Sequence, residues 1–126
     1  MAGYLTDIEY KTLQNENFRE VLFTGPNVQL VVMNLLPGEE IGMEVHGDTD
    51  QFIRVETGQG EAVLDGVAYD LEDGSAVVIP AGTRHNILNT SETEALKLYT
   101  LYSPPEHADK TVHHTKAEAD AAEHHH

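Results

Sequence analysis

The sequence has no cysteine and few basic residues. The absence of cysteine excludes a disulfide framework and metal sites built on thiolates, although it says little about the cellular compartment. Only 7 residues are lysine or arginine, and the net charge is −15 at pH 7. Such a chain lacks the basic patch that displaces counterions from a nucleic acid, and an anionic membrane surface would repel it. We therefore expect no nucleic-acid partner and no membrane partner.

Long hydrophobic runs are also lacking. No apolar run approaches the roughly 20 residues that span a bilayer. The N-terminal MAGYLTDIEY does not have the basic-then-apolar pattern of a secretory signal. A cytoplasmic protein is therefore the default expectation. With 126 residues, of which 40% are hydrophobic, the chain is long enough for one domain with a small core.

Short apolar runs between turn residues, spaced about 8–12 positions apart, predict an all-β fold, either a sandwich or a barrel. The predicted strands are 18–24, 28–36, 41–46, 51–57, 61–64, 67–71, 75–79, 84–89 and 95–102. Asp65-Gly66 is a dipeptide favoured in two-residue hairpin turns. Pro104 and Pro105 are predicted to end the sheet, because proline cannot donate to a ladder.

The composition changes after these prolines. Thr115-x-x-Glu118 has the form of a helix capping box, and an alanine-rich segment follows it. This pattern predicts a short C-terminal helix or a frayed tail. His107, His113 and His114 are expected to lie on this solvated tail.

The segment 37–60, PGEEIGMEVHGDTDQFIRVETGQG, holds a carboxylate, an imidazole and an amide at close spacing. Residues two apart in a strand point to the same face, so Glu44 and His46 are expected to project together. After a polar turn the chain returns, and Gln51 begins the next predicted strand. One hairpin can therefore bring these three side chains to one point.

A second segment, 74–89, repeats the order of strand, Pro/Gly turn and strand in GSAVVIPAGTRHNILN. His85 lies just after its turn. In a closed or sandwich-like sheet, two such hairpins would place His85 opposite Glu44 and His46.

Both segments resemble the paired motifs of the cupin superfamily. The first motif is a glycine, His-x-His, a glutamate and a glycine at set spacing, and this chain fits the frame with Gly38, Glu44, His46, Gln51 and Gly58. The second motif is matched at every position by Gly74, Pro80, Gly82, His85 and Asn89. The chain departs from the family pattern at two positions, because Glu44 replaces the usual first histidine and Gln51 replaces the usual glutamate.

The resemblance implies a fold and a division of the chain. The expected fold is a cupin-type double-stranded β-helix, which is a jelly-roll barrel, with a short C-terminal helix or tail. We predict an N-terminal arm at 1–17, the cupin barrel domain at 18–103, a C-terminal tail with a short helix at 104–123, and a tag remnant at 124–126. Small cupins commonly pair through sheet edges and apolar strand faces. We therefore predict a homodimer, with Phe52, Asn86 and Leu88 on outward faces.

The resemblance also implies a metal site with four candidate ligands, Glu44, His46, Gln51 and His85. Two imidazoles and a carboxylate are typical ligands of a divalent transition metal such as Mn, Fe, Co, Ni or Zn. Glu44 is also the candidate catalytic acid or base where it does not bind the metal. Other interpretations stay open: the histidines are hydrogen-bonded barrel residues, Glu44 faces a water-filled pocket, or Gln51 supports a ligand without binding the metal.

Three functions are consistent with such a site. The first is a metal-dependent enzyme with isomerase or lyase chemistry on a small carbonyl or hydroxy compound, with the metal as a Lewis acid. The second is an Fe(II)- or Mn-dependent dioxygenase, and the third is a non-catalytic module that binds a small molecule. Arg54 and Arg84 are predicted to face away from the ligands. This orientation favours a neutral sugar, a uronate or a keto compound over a sugar phosphate.

Overall fold

The computed structural model describes residues 2–123, so the predicted tag remnant at 124–126 lies outside the described residues. Within residues 2–123 the chain forms nine strands and two helices. In chain order they are α1 (Ile8–Gln14), β1 (Arg19–Thr24), β2 (Gln29–Leu35), β3 (Asp50–Thr57), β4 (Gly60–Leu64), β5 (Val67–Leu71), β6 (Ala76–Ile79), β7 (His85–Asn89), β8 (Leu96–Ser103), β9 (Val112–His113) and α2 (Lys116–Glu123). Neither helix of this described part is long and apolar enough to cross a membrane.

The strands form antiparallel sheets and confirm the predicted all-β jelly-roll fold. In the described part of the chain, the larger sheet has six strands in the order β6-β3-β8-β2-β1-β9, and the smaller has three in the order β5-β4-β7. Most strands that pair within a sheet are distant from each other in the chain. For example, β3 pairs with β8 and β4 pairs with β7. This pairing wraps the two motif hairpins around a common interior.

The apolar core lies between the sheets and follows the alternation of side chains along the strands. In β3 the buried side chains are Gln51, Ile53 and Val55, which is the face predicted from the sequence. β8 alternates in the same way, and its last buried residue is Tyr102. Gln51 is paired with Tyr102 in the strand register. These two polar residues therefore mark the level at which the apolar core ends and the candidate site begins.

The predicted strand at 41–46 is wrong, because this segment makes isolated bridges rather than a regular ladder. Glu40 bridges Leu88 and Glu44 bridges His85, so four steps along the segment oppose three steps along β7. The extra residue forms a β-bulge. Gly42 accommodates it with φ +109°, a conformation that residues with a Cβ rarely adopt.

The bulge changes which side chains point inward. In a regular strand Ile41 and Glu44 would lie on opposite faces. With one extra residue between them, Ile41 packs against the core while Glu44 also turns inward, and Met43 and Val45 remain exposed. The N–H of Gly42 also donates to Oδ1 of Asn86 at 2.9 Å, and Asn86 is buried, so it offers no exposed surface to a second copy.

The C-terminal segment returns to the barrel, which corrects the prediction of a solvated tail. β8 ends just before Pro104, as predicted, but β9 then pairs with β1 at the edge of the larger sheet. The buried amide of Gln29 holds the loop between β8 and β9: Nε2 donates to the His107 carbonyl at 2.7 Å, and Oε1 accepts from the N–H of His107 at 2.9 Å and of Glu106 at 3.2 Å. The loop therefore lies against the barrel.

Helix α2 confirms the predicted capping box. The N–H of Glu118 donates to Oγ1 of Thr115 at 3.1 Å, and Oε2 of Glu118 accepts from the N–H of Thr115 at 3.2 Å. Ala119, one turn into the helix, is buried against the core. The helix thus covers part of the barrel.

Candidate functional site

Glu44 and His85 are adjacent because their backbones form a closed hydrogen-bonded pair. The N–H of each residue donates to the carbonyl of the other at 2.8 Å. Residues paired in this way in an antiparallel ladder carry their side chains on the same face. His46 follows two residues after Glu44, and its ring centroid is 5.2 Å from that of His85. The structure therefore brings Glu44, His46 and His85 together.

The imidazole of His46 lies between two carboxylates. Its Nε2 is 3.4 Å from Oε2 of Glu44, and its Nδ1 is 3.3 Å from Oε1 of Glu106. Glu106 belongs to the loop after β8, and the hydroxyl of Thr49 is 3.5 Å from its other carboxylate oxygen. Glu106 could not be predicted from the sequence, because its position depends on how Gln29 holds the loop. A carboxylate on one nitrogen orients the ring and leaves the other nitrogen for a ligand.

His85 has a defined tautomer. The ring is 3% exposed, and its Nδ1 lies 2.9 Å from the carbonyl oxygen of Thr83. A carbonyl oxygen only accepts, so Nδ1 carries a proton and Nε2 is the nitrogen that can bind a ligand. This is the form in which a histidine binds a metal ion.

In the described part of the chain, the side-chain amide of Gln51 forms a hydrogen bond through its nitrogen but not through its oxygen. The side chain is 4% exposed, and its Nε2 donates to Oγ1 of Thr100 at 3.0 Å. Its Oε1 is buried and has no hydrogen-bond partner within residues 2–123. A buried carbonyl without a partner is uncommon and costly, and it is available to a cation.

Tyr102 and His107 form the wall next to His46. The Tyr102 ring packs edge-on against the His46 ring, with 6.1 Å between the ring centroids. It also packs edge-on against the His107 ring, with 5.2 Å between centroids. The Tyr102 hydroxyl oxygen lies 3.4 Å from Nε2 of His107. Burial raises the pKa of Tyr102, so its hydroxyl stays protonated at neutral pH. Burial, followed by the charge of Arg19, lowers the pKa of His107 to about 3. Both residues are therefore neutral hydrogen-bonding groups.

The carboxyl of Glu44 is under opposing influences. Burial raises its pKa above the ordinary value, and this effect outweighs the lowering by His46, Arg19 and His85. A carboxyl that holds its proton more tightly than usual is suited to accept and return one near neutral pH. A bound cation would act in the opposite direction and favour the carboxylate.

Arg19 is a buried cation that the sequence reasoning missed. It begins β1, is 2% exposed, and its charge acts on Glu44, Tyr102 and His107. The run from residue 18 to residue 24 alternates only loosely, so the pattern did not show which face is inward. Arg54 and Arg84 lie outside the barrel, as predicted.

The donor set suits a metal ion by its chemistry. Two imidazoles, a carboxylate and an amide oxygen without a partner are ligands that first-row divalent ions accept. As the side chains stand, no group of three or more histidine, aspartate or glutamate residues within residues 2–123 has the arrangement of a metal site. The residues therefore fit a metal ion by type and lie close together, but their side chains are not arranged around one point.

Comparison with known proteins agrees with the barrel and its motifs. The family model of the cupin domain matches residues 31–102. The uncharacterized Bacillus subtilis protein YrkC is 46% identical over 127 residues, which are 95% of this chain and 67% of that protein. The quercetin 2,3-dioxygenase of Bacillus subtilis is 36% identical over 78 residues, which are 62% of this chain and 23% of that enzyme.

Among solved structures, the crystal structure of BH2720 from Bacillus halodurans resembles the whole chain. It superimposes with a TM-score of 0.92 at 41% identity, and the match covers 95% of both chains. The likeness therefore extends beyond the residues that the family model matches.

Proposed function

Because the chain belongs to the cupin family, we propose that it is a metal-dependent enzyme acting on a small carbonyl or hydroxy compound. The proposed chemistry is that of an isomerase or a lyase. Cupin proteins often bind metal ions. The observation that supports this function is the meeting of two histidines and a carboxylate at the end of the core where the amide oxygen of Gln51 lies without a partner.

In this proposal Glu44, His46, Gln51 and His85 hold the ion. When bound, the ion supplies Lewis-acid polarisation of a substrate oxygen. Glu106 orients the imidazole of His46, since its carboxylate contacts Nδ1 and leaves Nε2 for the ion. The carbonyl of Thr83 orients the imidazole of His85 in the same way, because it contacts Nδ1 and leaves Nε2 for the ion.

The chain's own residues also provide proton transfer and hydrogen bonding. Glu44 is the proposed acid–base residue in states where it does not bind the ion, and its raised pKa suits the task. The protonated hydroxyl of Tyr102 can donate to a substrate oxygen. The loop held by Gln29 places Glu106 beside His46 and His107 beside Tyr102 at this end of the barrel.

The decisive test is metal content measured by mass spectrometry on protein without His124–His126, which would bind metal on their own. Metal-free protein is reconstituted separately with Mn, Fe(II), Co, Ni and Zn. We expect a near-stoichiometric ion that is lost in His46→Ala and His85→Ala, whereas Glu44→Ala and Gln51→Ala identify which oxygen ligates. Glu106→Gln is expected to weaken affinity by about 10–100-fold.

The matched control is His114→Ala, which removes an exposed histidine outside the site. It should leave metal content unchanged. If wild-type protein takes up none of the five ions, the metal-dependent function is overturned. The barrel would then be examined as a module that binds a small molecule without turnover.

A dioxygenase is the second candidate, and the similarity to a quercetin 2,3-dioxygenase favours it. Two histidines and one carboxylate also form the ligand set of many non-haem iron oxygenases. Oxygen uptake by Fe(II)- or Mn-loaded protein with enediol and diketone substrates tests this candidate. Uptake that disappears in His46→Ala and His85→Ala favours the dioxygenase. Product formation without oxygen uptake favours the isomerase or lyase.

A further inference from the structure

Arg19 carries its charge into the interior of the barrel. Its backbone pairs with Met33 of β2 on one side and with His113 of β9 on the other. Val21, two residues along β1, points to the same face and belongs to the core. The arginine is 2% exposed, so its guanidinium has lost almost all of its hydration. A buried charge is stable only with partners that replace the water.

The described residues supply these partners only in part. Nη1 donates to Nδ1 of His113 at 3.3 Å, and Cζ lies 5.4 Å from the centroid of the Phe18 ring. Within residues 2–123, no carboxylate lies within ion-pair distance of Arg19. In the same part of the chain, its buried Nε has no hydrogen-bond partner. The buried Nε of Arg19 therefore lacks, among these residues, the acceptor that a desolvated guanidinium requires.

Arg19 faces the barrel interior at whose end the candidate site lies, because it shares the inward face of β1 with the core residue Val21. After burial, the charge of Arg19 is the strongest influence on the pKa values of Tyr102 and His107. It also lowers the pKa of Glu44, behind the effects of burial and His46. The guanidinium is thus within electrostatic range of the proposed acid–base residue and of the wall beside His46.

We propose that Arg19 binds the carboxylate of the substrate through its Nε edge, so that the site accepts a small organic acid with a hydroxyl or carbonyl group. This inference rests on the proposed function and narrows its substrate class. A guanidinium edge matches the two oxygens of a carboxylate, and a hydrogen bond between charged groups is stronger than one between neutral groups. The hydroxyl or carbonyl group would face the metal ligands.

The surrounding charges favour a carboxylate over a phosphate. A phosphate carries more charge and is usually held by several cations. The other cation near Phe18 is Lys116, and it is already paired with Asp120. Glu44 and Glu106 add negative charge on either side of the His46 ring. A single arginine in this setting balances one negative charge.

The test compares acids with neutral molecules of the same shape. Binding of pyruvate, lactate and galacturonate is measured by calorimetry against pyruvamide, lactamide and galactose, using both metal-free and metal-reconstituted protein. We expect wild-type protein to bind at least one acid about tenfold or more tightly than its neutral counterpart. Arg19→Met should lose this preference, and Arg19→Lys should keep part of it. Arg84→Met removes the same charge from the exposed surface and should behave as wild type.

Several results would overturn the proposal. One is equal affinity for the acids and their neutral counterparts, and another is an unchanged preference for the acid in Arg19→Met. The others are no binding of any acid to metal-free or metal-reconstituted protein, and tighter binding of inorganic phosphate than of the acids. Circular dichroism establishes that Arg19→Met is folded, and Arg19→Lys carries the comparison if it is not. Metal content is measured in the same samples. Metal binding without acid preference overturns this inference alone, whereas acid preference without metal binding overturns the proposed function alone.

Discussion

A partly buried histidine that resists protonation makes the stability of the folded protein depend on pH. His107 has its pKa lowered from 6.5 to about 3, chiefly by burial and then by the charge of Arg19. The unfolded chain therefore binds a proton at a higher pH than the folded protein does. The stability contributed by His107 is complete above pH 6.5 and is lost progressively as the pH falls toward 3.

His107→Gln should remove this dependence while keeping a polar side chain beside Tyr102. Between about pH 7 and pH 4, we expect metal-free wild-type protein to lose about 1–3 kcal/mol more unfolding free energy than the variant loses. Urea unfolding at several pH values measures the difference. His114→Gln, at an exposed position, is the control and should follow wild type. Parallel curves for wild type and His107→Gln would contradict the burial of a neutral His107.

At the scale of structural elements, the bulge at Gly42 decides whether the site forms. Gly42→Ala places a Cβ where no atom lies within 4 Å, so the cost comes from the φ of +109° alone. We expect a loss of about 1–2 kcal/mol in unfolding free energy, measured by chemical denaturation. Gly47→Ala is the matched control, because this glycine also has open space but does not have a positive φ. Equal stability of the two variants would show that the bulge does not need glycine.

The sequence predicted most elements well where alternation is regular. The strand predicted at 51–57 and the strand predicted at 67–71 agree with β3 and β5. The Asp65-Gly66 turn has positive φ at both residues, as a type I′ hairpin requires. The bulge escaped prediction because IGMEVH fits a regular strand equally well, and only the pairing with β7 shows the extra residue. Sequence periodicity carries no information about register slips of this kind.

At the scale of the whole molecule, contacts between distant parts of the chain complete the site. Gln29 and His107 are 78 residues apart, and Arg19 and His113 are 94 residues apart. Local patterns cannot predict such pairs. The two motifs therefore led to Glu44, His46, Gln51 and His85, whereas Arg19, Glu106 and His107 became visible only in the folded chain. The segment predicted as a tail is part of the candidate site.

The predicted homodimer also needs a surface, and the structure suggests the outer edges of β5 and β6. In the described part of the chain each of these strands ends its sheet, and a groove of about 370 Å³ with apolar lining from β4, β5 and β6 lies beside them. Val67 and Tyr69 are each 52% exposed there, and Val78 is 67% exposed. Exposed apolar side chains at open sheet edges favour pairing with a second copy.

We expect light scattering after size exclusion to give twice the chain mass of 13.9 kDa for wild-type protein. A lysine in the apolar surface should reduce this value to the mass of one chain, because burying an unpaired charge is costly. Val78→Lys and Tyr69→Lys are the informative variants. Leu36→Lys is the control, since Leu36 is exposed to a similar extent but does not line this groove. A monomeric wild type would contradict the predicted dimer, and dimeric lysine variants would show that the copies pair through another surface.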